Sequence, residues 1–177
     1  MRSFGFTLID LLITLSVLTI LISIGLPNFS SQIKNLRVST ATLDLQEAIT
    51  LTRTTAISTN GRATMVKLID WKGGWQIFLD KNNNGMRDQE EQLLLQHEEL
   101  KGVRITANGP IKNNVSYIGT GESRNAGGTN AGGFQAGTFT ICPTEKGDGF
   151  ELILARGGRV RKSEITAQDC EAANNKK

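Results

Sequence analysis

The chain of 177 residues sets 20 Lys and Arg against 17 Asp and Glu, a formal net charge of +3, and carries one histidine and two cysteines. So small a charge implies no polyanionic partner by itself, and any such partner has to be argued from where the cations fall. The lone His97 closes a Leu93-Leu94-Leu95 run and supports neither a metal triad nor a Ser-His-Asp set, which leaves no basis for an enzyme or a cofactor.

At the N-terminus, Arg2 precedes an apolar run from Phe6 to Leu26 that is broken only by Asp10, and no further charge follows until Lys34. A basic stub before such a run marks a chain inserted in a membrane, its start held on the cytoplasmic side and the part beyond the run outside the cytoplasm. An ordinary secretory signal carries its small-residue cleavage site after the apolar segment, whereas here Gly5 stands before it. The arrangement resembles the leader of type IV pilins and their relatives: a short basic stub, Gly5 at the cut, Phe6 as the mature first residue and a carboxylate four residues on. That resemblance implies a prepilin peptidase that removes the leader, residues 1–5, and N-methylation of Phe6. Residues 6–32 then stay as a transmembrane and assembly helix, and the protein starts in the bacterial inner membrane before joining a pilus of other major and minor pilins. Where the family carries Glu this chain has Asp10, one methylene shorter, and the resemblance makes it the partner of a neighbouring subunit's methylated amine. A carboxylate inside a membrane persists where it finds such a partner.

Pro27, two residues after Gly25, predicts a kink or loosening of the helix. From Ile33 to about Ser58 the pattern turns amphipathic. Ala41, Leu45, Ala48, Ile49, Thr52 and Ala56 fall at helical spacing, with Lys34, Arg37, Asp44, Glu47 and Arg53 elsewhere. Residues 33–177 form the globular head, entered by this one long helix.

Beyond the Asn60-Gly61 turn, strand-like runs recur at 63–69, 75–80, 91–97, 103–107, 115–118, 138–142, 150–155 and 159–162, with no second long helix. The expected fold is α+β, antiparallel strands laid on the C-terminal half of the long helix. Residues 119–137 hold the glycine-rich Asn125-Ala126-Gly127-Gly128-Thr129-Asn130-Ala131-Gly132-Gly133, with almost nothing to bury, and read as a mobile loop. Trp71 and Trp75 flank Gly73-Gly74 and read as packing for a hairpin. Cys142 and Cys170, outside the cytoplasm and without ligand-spaced neighbours, read as a disulfide.

Asp80, Asn82, Asn84, Asp88 and Glu91, with Gly85 at the sixth position, match the spacing of a calcium loop. Their flanks are strand-like where such a loop needs helices, and Asn-Gly between strands is a strong hairpin signal, so a polar hairpin loop without metal is preferred.

The last strand pair turns through Arg156-Gly157-Gly158 and returns as Arg159-Val160-Arg161-Lys162. Side chains alternate along a strand, which puts Arg159 and Arg161 on one face roughly 7 Å apart with Val160 turned inward, and Arg156 and Lys162 nearby. Guanidinium forks on a stiff hairpin suit phosphate oxygens. No aromatic residue is interleaved, so contacts would be to the backbone of double-stranded DNA regardless of sequence. Four such contacts would give a salt slope of about −3.6 and a roughly hundredfold loss of affinity between 50 and 200 mM salt. A solvated edge strand kept from aggregating by its cations is the plainer alternative.

Arg53 to Ala63, Trp75-Gln76-Ile77-Phe78-Leu79-Asp80, Gly137-Thr138-Phe139-Thr140-Ile141-Cys142 and Gly158-Arg159-Val160-Arg161 together narrow the resemblance to the GspH/FimT group of minor pilins and pseudopilins. That group implies three roles for such a chain: a FimT-like DNA-binding subunit for natural transformation, carrying the motif at Arg159 and Arg161; a FimU-like structural subunit that primes pilus assembly; or a GspH-type pseudopilin of type II secretion.

Overall fold

The computed structural model describes residues 7–174, except the side chains of 24–28 and 30. A single helix, α1 (Leu8–Thr59), is continuous through position 27. It begins with a reciprocal cap. Thr7 Oγ1 accepts from the Asp10 N–H at 3.3 Å, and Asp10 Oδ2 accepts from the Thr7 N–H at 3.2 Å and its hydroxyl at 2.7 Å. It ends where Asn60 turns left-handed at φ 47°. There Gly61 N–H donates to Ala56 O and Asn60 N–H to Ile57 O, a pair of bonds that satisfies the last carbonyls.

The chain divides into two compact units, one ending at Lys34 and the other beginning at Asn35. In the first, the large apolar side chains from Leu8 to Ile22 are all exposed. The hydroxyls of Thr14, Ser16, Thr19 and Ser23 fold back onto carbonyls of the preceding turn, which leaves little polarity on that surface.

The second unit holds the core. Its part of α1 buries Val38, Ala41, Leu45, Ala48, Ile49 and Ala56 along one side. Thr42 and Thr52 are also buried, their hydroxyls donating to Val38 O and Ala48 O at 2.7 Å. The strands are β1 (Ala63–Lys67), β2 (Trp75–Leu79), β3 (Leu93–His97), β4 (Val103–Ala107), β5 (Asn114–Tyr117), β6 (Gly137–Pro143), β7 (Gly149–Leu154) and β8 (Val160–Ile165). They form two antiparallel four-stranded sheets, β3-β2-β1-β5 and β4-β6-β7-β8. Trp71 meets Phe139 edge-on at 4.9 Å and donates its indole N–H to Lys112 O, while Trp75 stacks on His97 at 4.3 Å. His97 is the last residue of β3, as expected of a strand end, with Nε2 3.7 Å from Asp44 of α1.

A second, short helix, α2 (Ala167–Asn174), follows β8. One expectation is corrected. Residues 119–137 are not empty of buried groups. Ser123 and Gln135 are fully buried, and the Gln135 amide donates to Pro110 O and Asn114 O while its oxygen accepts from the Ser116 N–H at 2.8 Å. Arg124 lies over Phe134 at 3.7 Å and donates to Gly132 O. The segment is held by polar side chains bonding to backbone, which a count of apolar residues does not register.

Candidate functional site

The β7–β8 hairpin lies at the edge of its sheet, and its register sorts the four basic residues. Val160 pairs with Leu154 and Lys162 with Leu152, both partners buried, whereas Arg161 pairs with Ile153 on the outer face. Lys162 therefore points away from Arg161, and its ammonium sits 3.9 Å over the Phe150 ring. That corrects the four-cation cluster to three, because alternation sends neighbours 161 and 162 to opposite faces. Arg159, two residues before Arg161, shares its side of the strand; Arg156 is on the turn. All three are exposed, and none has an ion pair among the described residues.

What holds the turn comes from elsewhere in the chain. The Arg53 guanidinium donates to Gly121 O at 3.0 Å and Gly157 O at 3.3 Å, and the Tyr117 hydroxyl donates to Gly158 O at 2.9 Å. Ser123 Oγ lies 3.3 Å from Ala155 O and 3.5 Å from Arg156 O. Burial pushes the Tyr117 phenol well above its ordinary value, the Arg53 charge opposing, so it stays a neutral donor at any physiological pH. Gly158 has φ +80°, and a Cβ there would meet Gly121 O at 2.2 Å. Arg53, Tyr117 and Ser123 went unread in the sequence, since nothing local ties them to a turn a hundred residues on.

The bridge between Cys142 of β6 and Cys170 of α2 is formed, with Cα atoms 5.8 Å apart. It closes the segment that contains the hairpin. Gly149 passes beneath it, where a Cβ would stand 2.7 Å from Cys170 Sγ.

The Asp80 to Glu91 segment joins β2 to β3 and brings its five oxygen-bearing residues together. Asp80 is buried and accepts from the Thr64 hydroxyl at 2.9 Å and the N–H groups of Asn84 and Gly85 at 3.1 Å. The Asn82 and Asn84 amides both donate to Asp88 Oδ2, at 2.6 and 3.0 Å, and Glu91 accepts from the Lys81 and Asp88 N–H groups. The amide hydrogens thus meet the carboxylate within the loop. Among the described residues no group of His, Cys, Asp and Glu is arranged to hold a metal ion. Arg62 adds a cation, bonded to Asn83 Oδ1 and Ser116 Oγ at 2.7 Å; its burial lowers its pKa, and the Asp80 charge opposes that.

Gly5 and Phe6 lie outside the described residues. Asp10 is exposed and engaged with Thr7 of its own chain. Among the described residues no helix is long and apolar enough to cross a membrane.

Residues 41–158 match the family described as Type II transport protein GspH. In fold, the chain is similar to the type IV minor pilin FimU of Pseudomonas aeruginosa, at 17% identity and a TM-score of 0.57, over 73% of this chain and 90% of that one. It is also similar to the minor pseudopilin EpsH of the Vibrio cholerae type 2 secretion system, at 13% identity and a TM-score of 0.51, over 72% and 96%. No curated protein matches the chain in sequence.

Proposed function

The chain belongs to the GspH family of minor pilins and pseudopilins, and from that premise we propose that it is a pilus subunit that captures extracellular double-stranded DNA for uptake in natural transformation. The observation that carries this reading is the pair Arg159 and Arg161, exposed on one side of an edge hairpin and free of ion pairs among the described residues. Two unpaired guanidinium groups on a disulfide-tied ribbon are ready to grip phosphate oxygens, and Arg156 at the turn adds a third cation. Capture by charge is followed by retraction of the fibre, which draws the duplex to the cell surface. No reaction is assigned to the chain.

In this reading a prepilin peptidase cuts after Gly5, Phe6 is methylated, and residues 6–32 hold the subunit in the inner membrane before it enters the pilus. The exposed apolar surface from Leu8 to Ile22 supports that use, since it has no cover within its own unit. Asp10, capped by Thr7 here, exchanges that bond for the neighbour's amine on assembly.

The test is duplex binding by the full-length chain in detergent micelles. Wild type binds duplexes of unrelated sequence alike, and Arg159→Ala/Arg161→Ala loses most of that affinity; equal binding by the two would end the DNA reading. The family match over 41–158 favours one competitor, a pseudopilin of type II secretion with no nucleic-acid ligand. Deleting the gene separates them, with pili intact and secretion lost in that case. Loss of all pili points instead to a priming subunit.

A further inference from the structure

We infer that the turn backbone itself is part of the anion site: the N–H groups of Arg156 and Gly157 take a phosphate oxygen beside Arg159, and Arg53 and Tyr117 are the positioning residues that arrange it. This rests on the polyanion reading above and adds a second, independent element to it.

The turn type follows from its bonds. Gly158 N–H donates to Ala155 O at 2.8 Å and Ala155 N–H to Arg159 O at 2.9 Å. Gly157 is not among the residues at positive φ and Gly158 is, at +80°, so a type I turn runs into a single left-handed residue. In a type I turn, as in the first turn of a helix, the N–H groups of the two central residues are left unbonded by the turn and point to one side, where they can bind an anion. Among the described residues, the N–H groups of Arg156 and Gly157 have no partner. A Cβ at Gly157 would find no atom within 4 Å, so the tip is open to an approaching oxyanion.

Carbonyls of the same peptides are taken from within. That of Gly157 is bonded to Arg53 and that of Gly158 to Tyr117, while that of Ala155 accepts from the Gly158 N–H inside the turn. The Ser123 hydroxyl, its one proton on Gln135 O, lies 3.5 Å from Arg156 O. The side left outward carries N–H groups and arginines, a surface already charged for phosphate without rearrangement.

The full-length chain in detergent micelles is titrated with a duplex of about 20 base pairs, and with inorganic triphosphate as a probe of the turn alone. Arg156→Ala removes the guanidinium and keeps the N–H. Arg156→Pro removes both, and proline fits this second position of a type I turn. The proline variant should bind each probe about tenfold more weakly than the alanine variant, the loss of one charge-assisted hydrogen bond. Equal affinities of the two for both probes would overturn the inference. Tyr117→Phe should weaken duplex binding about fivefold with its salt slope unchanged, because no phosphate contact is lost. Wild-type affinity, or a shallower slope, would remove Tyr117 from the positioning set. If the proline and alanine variants differ towards triphosphate while Arg159→Ala/Arg161→Ala binds duplex like wild type, the cradle stands and the DNA reading falls.

Discussion

Gly158 is held left-handed at φ +80°, and a methyl group in its place would run into Gly121 O at 2.2 Å and Tyr117 Cε1 at 2.7 Å. Gly158→Ala is therefore expected to cost about 3 kcal/mol, strain and clash together, and to shift the urea midpoint down. Gly157→Ala, with open space around it, should leave that midpoint within about 0.5 kcal/mol of wild type. The helix offers a parallel contrast. Leu45 is completely buried and Leu43 is 48% exposed, two residues apart on α1. Leu45→Ala should lose about 3 kcal/mol and Leu43→Ala less than about 0.5 kcal/mol in the same denaturation experiment. A reversed order would mean that the amphipathic face is assigned to the wrong side.

α2 and the hairpin before it are joined through the Cys142–Cys170 bridge. Replacing both cysteines by alanine should remove about 3 to 4 kcal/mol, mostly by freeing the unfolded chain, and should release the amides of α2 to exchange. The start of α2 carries its own pH response. The Thr166 hydroxyl and N–H hold the Asp169 carboxyl below its usual range. A carboxylate depressed in the folded state adds stability that is complete above its unfolded pKa and is lost as pH falls through the lowered folded value. The protection factor of the Cys170 amide, its slowing relative to an unstructured chain at the same pH, should thus fall in acid in wild type, while Asp169→Asn shows low protection at neutral pH and little further acid response. The Thr166-x-x-Asp169 spacing is itself a helix-start signal. It went unread beside the short, polar run that follows. The strands were readable as short apolar or β-branched runs between turn signals, although β3 and β8 hold no fully buried residue and β1 and β5 bury consecutive ones. The anchoring of residues 119–137 was not, since Gln135 and Ser123 look like any polar loop residue until their backbone partners are brought beside them.

Across the whole molecule, the change in pattern along α1 was visible in sequence as an apolar run passing into an amphipathic one, and it coincides with the division into two units at Lys34 and Asn35. The split of the strands into two sheets was not visible. β1 pairs with β5, Ala63 opposite Tyr117, and a pairing so distant in sequence leaves no local mark. The same distance hides the clamp of Arg53 and Tyr117 on the hairpin turn, although the arginines it supports were found by their spacing. The proposed capture of DNA requires phosphate contacts by Arg156, Arg159 and Arg161, Lys162 being turned toward Phe150. The most direct test is the salt dependence of duplex affinity for the full-length chain. Three contacts predict a slope of log affinity on log salt of about −2.7, roughly fortyfold between 50 and 200 mM, falling to about −0.9 in Arg159→Ala/Arg161→Ala. A slope that stays the same in the double variant would contradict it.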